Sequence, residues 1–241
     1  MSDAISPSDP AGAETLELLA AAPKYNAWMY QAIAPYVGRR VLEVGSGIGN
    51  MSAHLLSARP ETMVLTDRDE WYRRQVSERF ASVATVRVEA LELPDPAARS
   101  RFAADRLDTV VALNVVEHIE DDAGALSSIK EMLVPGGRAV ILVPALSSIY
   151  SELDRELGHF RRYGRRSLAA AFGRAGLRVE TMYWFNRVGV VAWWFQGRVR
   201  GRRRISLADV QRFDAMVPLL RLERFVPLPF GQSLIGIGTP R

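Results

Sequence analysis

Three glycines at alternate positions, Gly45, Gly47 and Gly49, follow an apolar run interrupted by one acid. The stretch reads Val41-Leu42-Glu43-Val44-Gly45-Ser46-Gly47-Ile48-Gly49-Asn50. Glycines in such a turn permit backbone angles that a Cβ forbids and let a ligand approach the main chain closely. Helical spacing resumes at Met51, and a helix start presents unpaired N–H donors. A strand, a glycine turn and a helix start in that order suit a nucleotide-like ligand. Asn50 stands where the dinucleotide fingerprint needs a third small residue, so the G-x-G-x-G spacing points to a ligand without a pyrophosphate. A second acid, Asp67, ends the next apolar run, 24 positions after Glu43. That is close to the roughly 20-residue spacing at which a carboxylate meets ribose hydroxyls. For proton transfer near neutrality the chain has three histidines, His54, His118 and His159. It has no cysteine, which excludes disulfides, thiolate metal sites and thiol nucleophiles. The histidines and acids lack the H-x-x-x-H spacing that sets two ligands on one helical face, so no metal site is expected.

These groups need a frame to hold them. A chain of 241 residues suits one α/β domain with additions, and 48% hydrophobic composition supplies a sizeable core. Residues 1–12 are polar, carry Pro7 and Pro10, and read as a mobile tail. Helical spacing begins at Glu14, breaks at Pro23 and resumes from Tyr25, so residues 14–37 read as two helices. Residues 38–185 read as the core sheet. After the run at Val41 its strands are expected at 62–67, 83–88, 107–113, 138–143 and 177–185, with helices at 52–58, 70–80, 97–104, 125–133 and 167–175. Glu120-Asp121-Asp122 places acids at a helix start, where they complement its dipole. Residues 186–230 read as a helical insertion with a helix over 207–225, and residues 231–241 as the last strand.

The segments E-V-G-S-G-I-G-N, T-D-R-D, D-T-V-V-A-L-N-V-V-E-H-I and L-V-P-G-G-R-A-V-I-L-V-P follow one another between Tyr25 and Val143. In order and spacing they resemble the class I S-adenosylmethionine-dependent methyltransferases. The resemblance implies an α/β fold: a Rossmann-like seven-stranded, mostly parallel sheet with helices on both faces. Its last strand would be antiparallel and lie between the fifth and sixth. S-adenosyl-L-methionine is then the implied cofactor and S-adenosyl-L-homocysteine the product. Glu43, Gly45, Ser46, Gly47 and Gly49 would shape the pocket for the amino-acid part. Asp67, with Arg68 beside it, would hold the ribose, and Glu92 and Leu93 would meet adenine, with Glu89 as the rival acid. Asn114 would contact the cofactor from the end of the fourth strand.

On the acceptor side, Glu117 and His118 face where an acceptor would lie. Tyr25 and Trp28, on a helix that covers the cleft in that family, would line it or serve as core aromatics. Gly158-His159-Phe160-Arg161-Arg162-Tyr163 resembles a segment of a methyltransferase subgroup found beside bacterial glycosyltransferase and natural-product genes. It offers His159 as the first candidate base, with His118 second, and Arg161, Arg162 and Tyr163 for an acceptor. His54 reads as structural. The expected reaction is methyl transfer to an oxygen or nitrogen of a small, natural-product, sugar- or lipid-linked acceptor.

Between Arg155 and Arg204 stand 13 arginines and two acids, an excess that suits an anionic acceptor or a solvated face. Trp193-Trp194-Phe195, followed by Arg198, Arg200, Arg202, Arg203 and Arg204, suits either a helix packed over the acceptor pocket or peripheral membrane contact. No apolar run reaches about 18 residues, and no secretory leader is read at the start, so a cytoplasmic protein is the expectation. A non-catalytic cofactor-binding protein or regulatory subunit is the second reading, and a nicotinamide-dependent reductase the third. A nucleic-acid acceptor is disfavoured, because Asn114-Val115-Val116-Glu117 replaces the aromatic-flanked N-P-P-Y type of motif used on extruded bases.

Overall fold

The structure is a computed structural model in which residues 6–7, 10–190, 206–225 and 228–241 are described. Its strands are β1 (Arg40–Val44), β2 (Thr62–Asp67), β3 (Val86–Ala90), β4 (Leu107–Leu113), β5 (Leu133–Pro144), β6 (Leu177–Phe185) and β7 (Ser233–Pro240). They form one seven-stranded sheet in the order β3-β2-β1-β4-β5-β7-β6. The β1–β2, β1–β4, β2–β3 and β4–β5 pairings are parallel, and β7 runs antiparallel to both β5 and β6. This is the expected Rossmann-like arrangement, with the last strand inserted between the fifth and sixth.

Successive side chains of a strand point to opposite faces, and the core divides accordingly. One face carries Leu42, Val44, Val64, Val110, Ala112 and Ile141. They pack on Phe102 of α5 (Ala98–Phe102), Leu126 and Ile129 of α6 (Asp122–Met132) and Phe172 of α8 (Arg165–Arg174). The other face carries Val41, Met63, Leu65, Val111, Val140 and Ile235. It packs on Ile33 of α2 (Pro23–Ile33), Leu55 of α3 (Asn50–Ser57), Val76 of α4 (Glu70–Arg79) and Val217 of α9 (Leu207–Leu220). Each fully buried aliphatic side chain contributes about 1.5–3 kcal/mol, so this two-sided burial is what holds the strand ends rigid. Between α6 and α8 a short helix, α7 (Glu152–Glu156), opens with a capping box. There the Ser151 side chain meets the Asp154 backbone N–H and the Asp154 side chain meets the Ser151 N–H.

Several boundaries differ from expectation. The first helix, α1 (Pro10–Ala20), starts before Glu14 and takes in part of the expected tail. The edge strand β3 starts at Val86, because pairing Met63 with Val86 through Asp67 with Ala90 sets its register, while Val83 closes a turn on Phe80. β5 starts at Leu133, which pairs with Leu107 before the register breaks and resumes at Thr109 with Arg138. α6 starts at Asp122, because the Asp121 side chain accepts from the Gly124 N–H and caps it. The insertion contains α9, which passes into a 3-10 turn at Arg221–Phe225 after Pro218 removes one helical donor. Trp193, Trp194, Phe195 and the five arginines after them lie outside the described residues. Among the described residues no helix is long and apolar enough to cross a membrane.

Candidate active site

A cleft of about 730 Å³ opens at the carboxyl ends of the strands, where ligands bind in open α/β sheets. Gly45 and Gly47 form part of its floor, both at positive φ, +69° and +52°. A Cβ at Gly45 would come within 2.7 Å of Val115, and one at Gly47 within 2.8 Å of Leu16. The turn is therefore closed to side chains on both conformational and steric grounds. Asp67 borders the same cleft at the end of β2. Its Oδ2 accepts from the Gly47 N–H at 3.0 Å and its Oδ1 from the Asp69 N–H at 3.0 Å. Burial pushes its carboxyl above the ordinary range, and those two N–H donors oppose the shift. Arg68, Glu92, Leu93 and Asn114 also line the cleft. Of the two rival acids, Glu92 is in the cleft, whereas Glu89 pairs with Arg87 on β3.

Other residues of this set stand behind the cleft lining. Glu43 does not line the cleft. Its Oε2 accepts from Ser52 Oγ of α3 at 2.5 Å, and burial pushes its carboxyl up to about 8 against that hydrogen bond. Ser46 knits the turn to β2, donating its N–H to Thr66 O and accepting the Thr66 N–H on Oγ. Gly49 faces Phe80 beyond α4, not the ligand side. These three shape the corner from beneath.

On the acceptor side, Glu117, His118, His159 and Arg162 line the cleft together. The turn Val116–His118 follows β4, and the Phe160 N–H donates to Glu117 O at 2.8 Å, which brings the later loop alongside. The His118 and His159 rings meet edge to face with centroids 4.7 Å apart. His159 Nδ1 lies 3.1 Å from Asp154 Oδ1. A carboxylate only accepts, so Nδ1 carries the proton and Nε2 keeps its lone pair. Arg162 is buried; its Nε donates to Asp154 Oδ1 at 2.7 Å and its Nη1 to Ala145 O at 3.0 Å. Burial alone would raise the Asp154 carboxyl, but hydrogen bonds from His159 and Arg162 and the guanidinium charge hold it below its ordinary value. Glu117 is 0% exposed, and neither carboxylate oxygen has a well-formed hydrogen bond among the described residues. Burial pushes this carboxyl up to about 8, opposed by its own backbone N–H and by Arg162.

Arg161 and Tyr163, expected at the acceptor, turn away from it. Arg161 donates to Glu120 O and pairs with Asp122, and the Tyr163 hydroxyl donates to Asp122 Oδ2. In R-R-Y the alternating backbone sends Arg162 to one side and its neighbours to the α6 start. Tyr25 does border the cleft and packs edge-on against Phe213 of α9. Trp28 is buried 4.5 Å from the Phe185 ring and borders a separate cavity, so it is a core residue. The sequence reading missed Leu16 and Thr15 of α1, Phe160, and Asp154 behind His159. The S-x-x-D spacing of Ser151 and Asp154, which the sequence reading did not use, could have pointed to the cap but carries no sign of the bond to His159. It also foresaw no grouping of Glu117, His118 and His159, whose ligand-capable atoms lie within 4.8 Å of one another. Spacing along one helix cannot report an approach between two loops.

Residues 13–182 match the family described as "Methyltransferase domain". The chain belongs to that methyltransferase family. The methyltransferase is 30% identical over 194 residues to a protein of Mycolicibacterium smegmatis named "Probable S-adenosylmethionine-dependent methyltransferase", covering 79% of this chain and 71% of that one. It is 24% identical over 192 residues to the squalestatin hexaketide synthase of a Phoma species, covering 76% of this chain but only 6% of that protein. Among solved structures, geranyl diphosphate methyltransferase in complex with S-adenosylmethionine superposes with a TM-score of 0.61 at 10% identity, over 89% of this chain and 85% of that one. The methyltransferase thus has the class I Rossmann-like fold, and S-adenosylmethionine is the cofactor of its enzyme class.

Proposed function

We propose that this methyltransferase moves a methyl group from S-adenosylmethionine to an oxygen or nitrogen of a small-molecule acceptor. The observation that carries the reading is one continuous cleft. It has Gly45, Gly47 and Asp67 on one wall and Glu117, His118 and His159 on another. The cofactor supplies a methyl carbon made electrophilic by its sulfonium. The residues fit it: Asp67 offers a buried acceptor for ribose hydroxyls, Gly45 and Gly47 admit close main-chain approach, and Glu92 and Leu93 suit the adenine edge and face. α1 lies over the corner through Leu16. Much of the acceleration in such a reaction comes from holding the nucleophile in line.

His159 is positioned to take the acceptor's proton on Nε2, because Asp154 holds Nδ1 and orients the ring. His118 lies beside it as the second candidate. Arg162 is held by Asp154 and by Ala145 O, and it supports the acceptor side through that carboxylate. The polyketide-synthase relative supports a natural-product acceptor class. Titration calorimetry of Asp67→Ala with S-adenosylmethionine tests the cofactor wall. Loss of hydrogen bonds to a charged group costs about 1.5–3 kcal/mol, roughly 10- to 100-fold in affinity; unchanged affinity would remove the ribose assignment.

A further inference from the structure

We infer that Glu117, His118 and His159 form a binding site for one divalent transition-metal cation of the zinc or manganese class. Their ligand-capable atoms lie within 4.8 Å of one another on the cleft wall. Donors around such a cation sit at ~2.0–2.2 Å from it, so closure asks for side-chain shifts of about an ångström. Two further observations point to a cation. The Glu117 carboxylate is 0% exposed with both oxygens lacking a well-formed hydrogen bond among the described residues. A buried carboxyl with no hydrogen-bond partner is costly even when neutral, and coordinating a cation would satisfy it.

The second observation is the Asp154–His159 bond. A metal-ligating imidazole almost always donates its other ring N–H to a carboxylate or carbonyl, which fixes the tautomer. Here Asp154 holds Nδ1 and leaves Nε2 as the donor. Arg162 is already held by Asp154, so the Glu117 carboxyl is left without a hydrogen-bonded cation of its own. Two imidazoles and one carboxylate are borderline ligands that suit zinc, iron or manganese better than calcium. The same donor set is used where a catalytic zinc keeps its fourth position open.

The open position would face the cleft, within reach of an acceptor oxygen; that role, unlike the cation site itself, rests on the methyl-transfer reading. A hydroxyl coordinated there ionises at lower pH and releases its proton to solvent. Coordination uses the Nε2 lone pair that proton abstraction would otherwise use, so His159 is then a ligand and not the base.

The test uses the tag-free chain stripped with a chelator and titrated with Zn²⁺, Mn²⁺ and Mg²⁺ separately by calorimetry. Metal content after dialysis and affinity for S-adenosylmethionine are measured on the same samples. One equivalent of Zn²⁺ or Mn²⁺ is expected per chain, with Mg²⁺ weaker. Glu117→Gln and His159→Gln should each lower the affinity at least 100-fold. Asp154→Asn, which acts through His159, should lower it about 10- to 100-fold. Retained S-adenosylmethionine affinity identifies variants that have folded, and His118→Gln replaces any that has not. Substoichiometric binding, or binding equal in the chain and in the folded variants, overturns the cation site. Failure of S-adenosylmethionine to bind the unaltered chain would instead overturn the methyl-transfer reading.

Discussion

Glu43 shows how a motif residue can stand behind a cleft and not in its lining. It stands near the end of β1 in the glycine motif, yet the residue is 4% exposed and its carboxyl bonds Ser52 under the corner. Its folded value is raised to about 8. A group raised on folding stabilises fully below its unfolded value, and that stabilisation is lost as pH rises through the folded value. Glu43→Gln keeps the neutral shape without the ionisation. Urea unfolding of the two proteins should give a difference that shifts in the variant's favour by roughly 2–3 kcal/mol between about pH 5 and pH 8. A difference that stays constant with pH would show that Glu43 ionises normally in the fold. Asp67, by contrast, was legible in its place at the cleft: a carboxylate directly after a buried strand has few other directions to face. Arg161, Arg162 and Tyr163 were not, because three adjacent side chains diverge by backbone geometry that their types do not encode. Asp122 and Asp154, far apart in the chain, claim them separately.

Among the elements, α1 links the sequence's polar start to the cofactor wall. Its Leu16 covers Gly47, and Asn50 Nδ2 donates to Leu16 O at 3.2 Å. The residue that breaks the dinucleotide fingerprint is thus one tie to a covering helix, beside Asn26, whose side chain donates to Leu19 O. Asn50→Ala should loosen α1 by about 1 kcal/mol, the net worth of a typical hydrogen bond. Cofactor release in stopped flow should quicken roughly fivefold, and amide exchange over residues 12–20 should rise. Release at the unaltered rate would mean that α1 does not restrain the ligand. Helix and strand existence was legible through the core because apolar periods of two and 3.6 are local properties. Ends were less so: the start of α6 is set by the Asp121 cap, and the start of β3 by pairing with β2 at the sheet edge.

For the whole molecule, ligand linkage offers the broadest check. A ligand that binds only the folded chain stabilises it by about 2.7 kcal/mol at 100 times its dissociation constant. S-adenosylmethionine and S-adenosylhomocysteine should therefore raise the thermal midpoint by several degrees, while NADH should leave it unchanged; a shift with NADH would favour the reductase reading. The sequence by itself determined the kind of molecule. The glycine corner, Asp67 and the strand motifs each rest on near neighbours along the chain, where spacing dictates local geometry. The tertiary structure alone decided which acid meets the cleft, which arginine is buried, and that Glu117, His118 and His159 converge. That convergence depends on the Phe160-to-Glu117 backbone bond and on the Asp154–Arg162 pair. Contacts between segments more than 40 residues apart follow from how the sheet orders its strands, and no local period records that order.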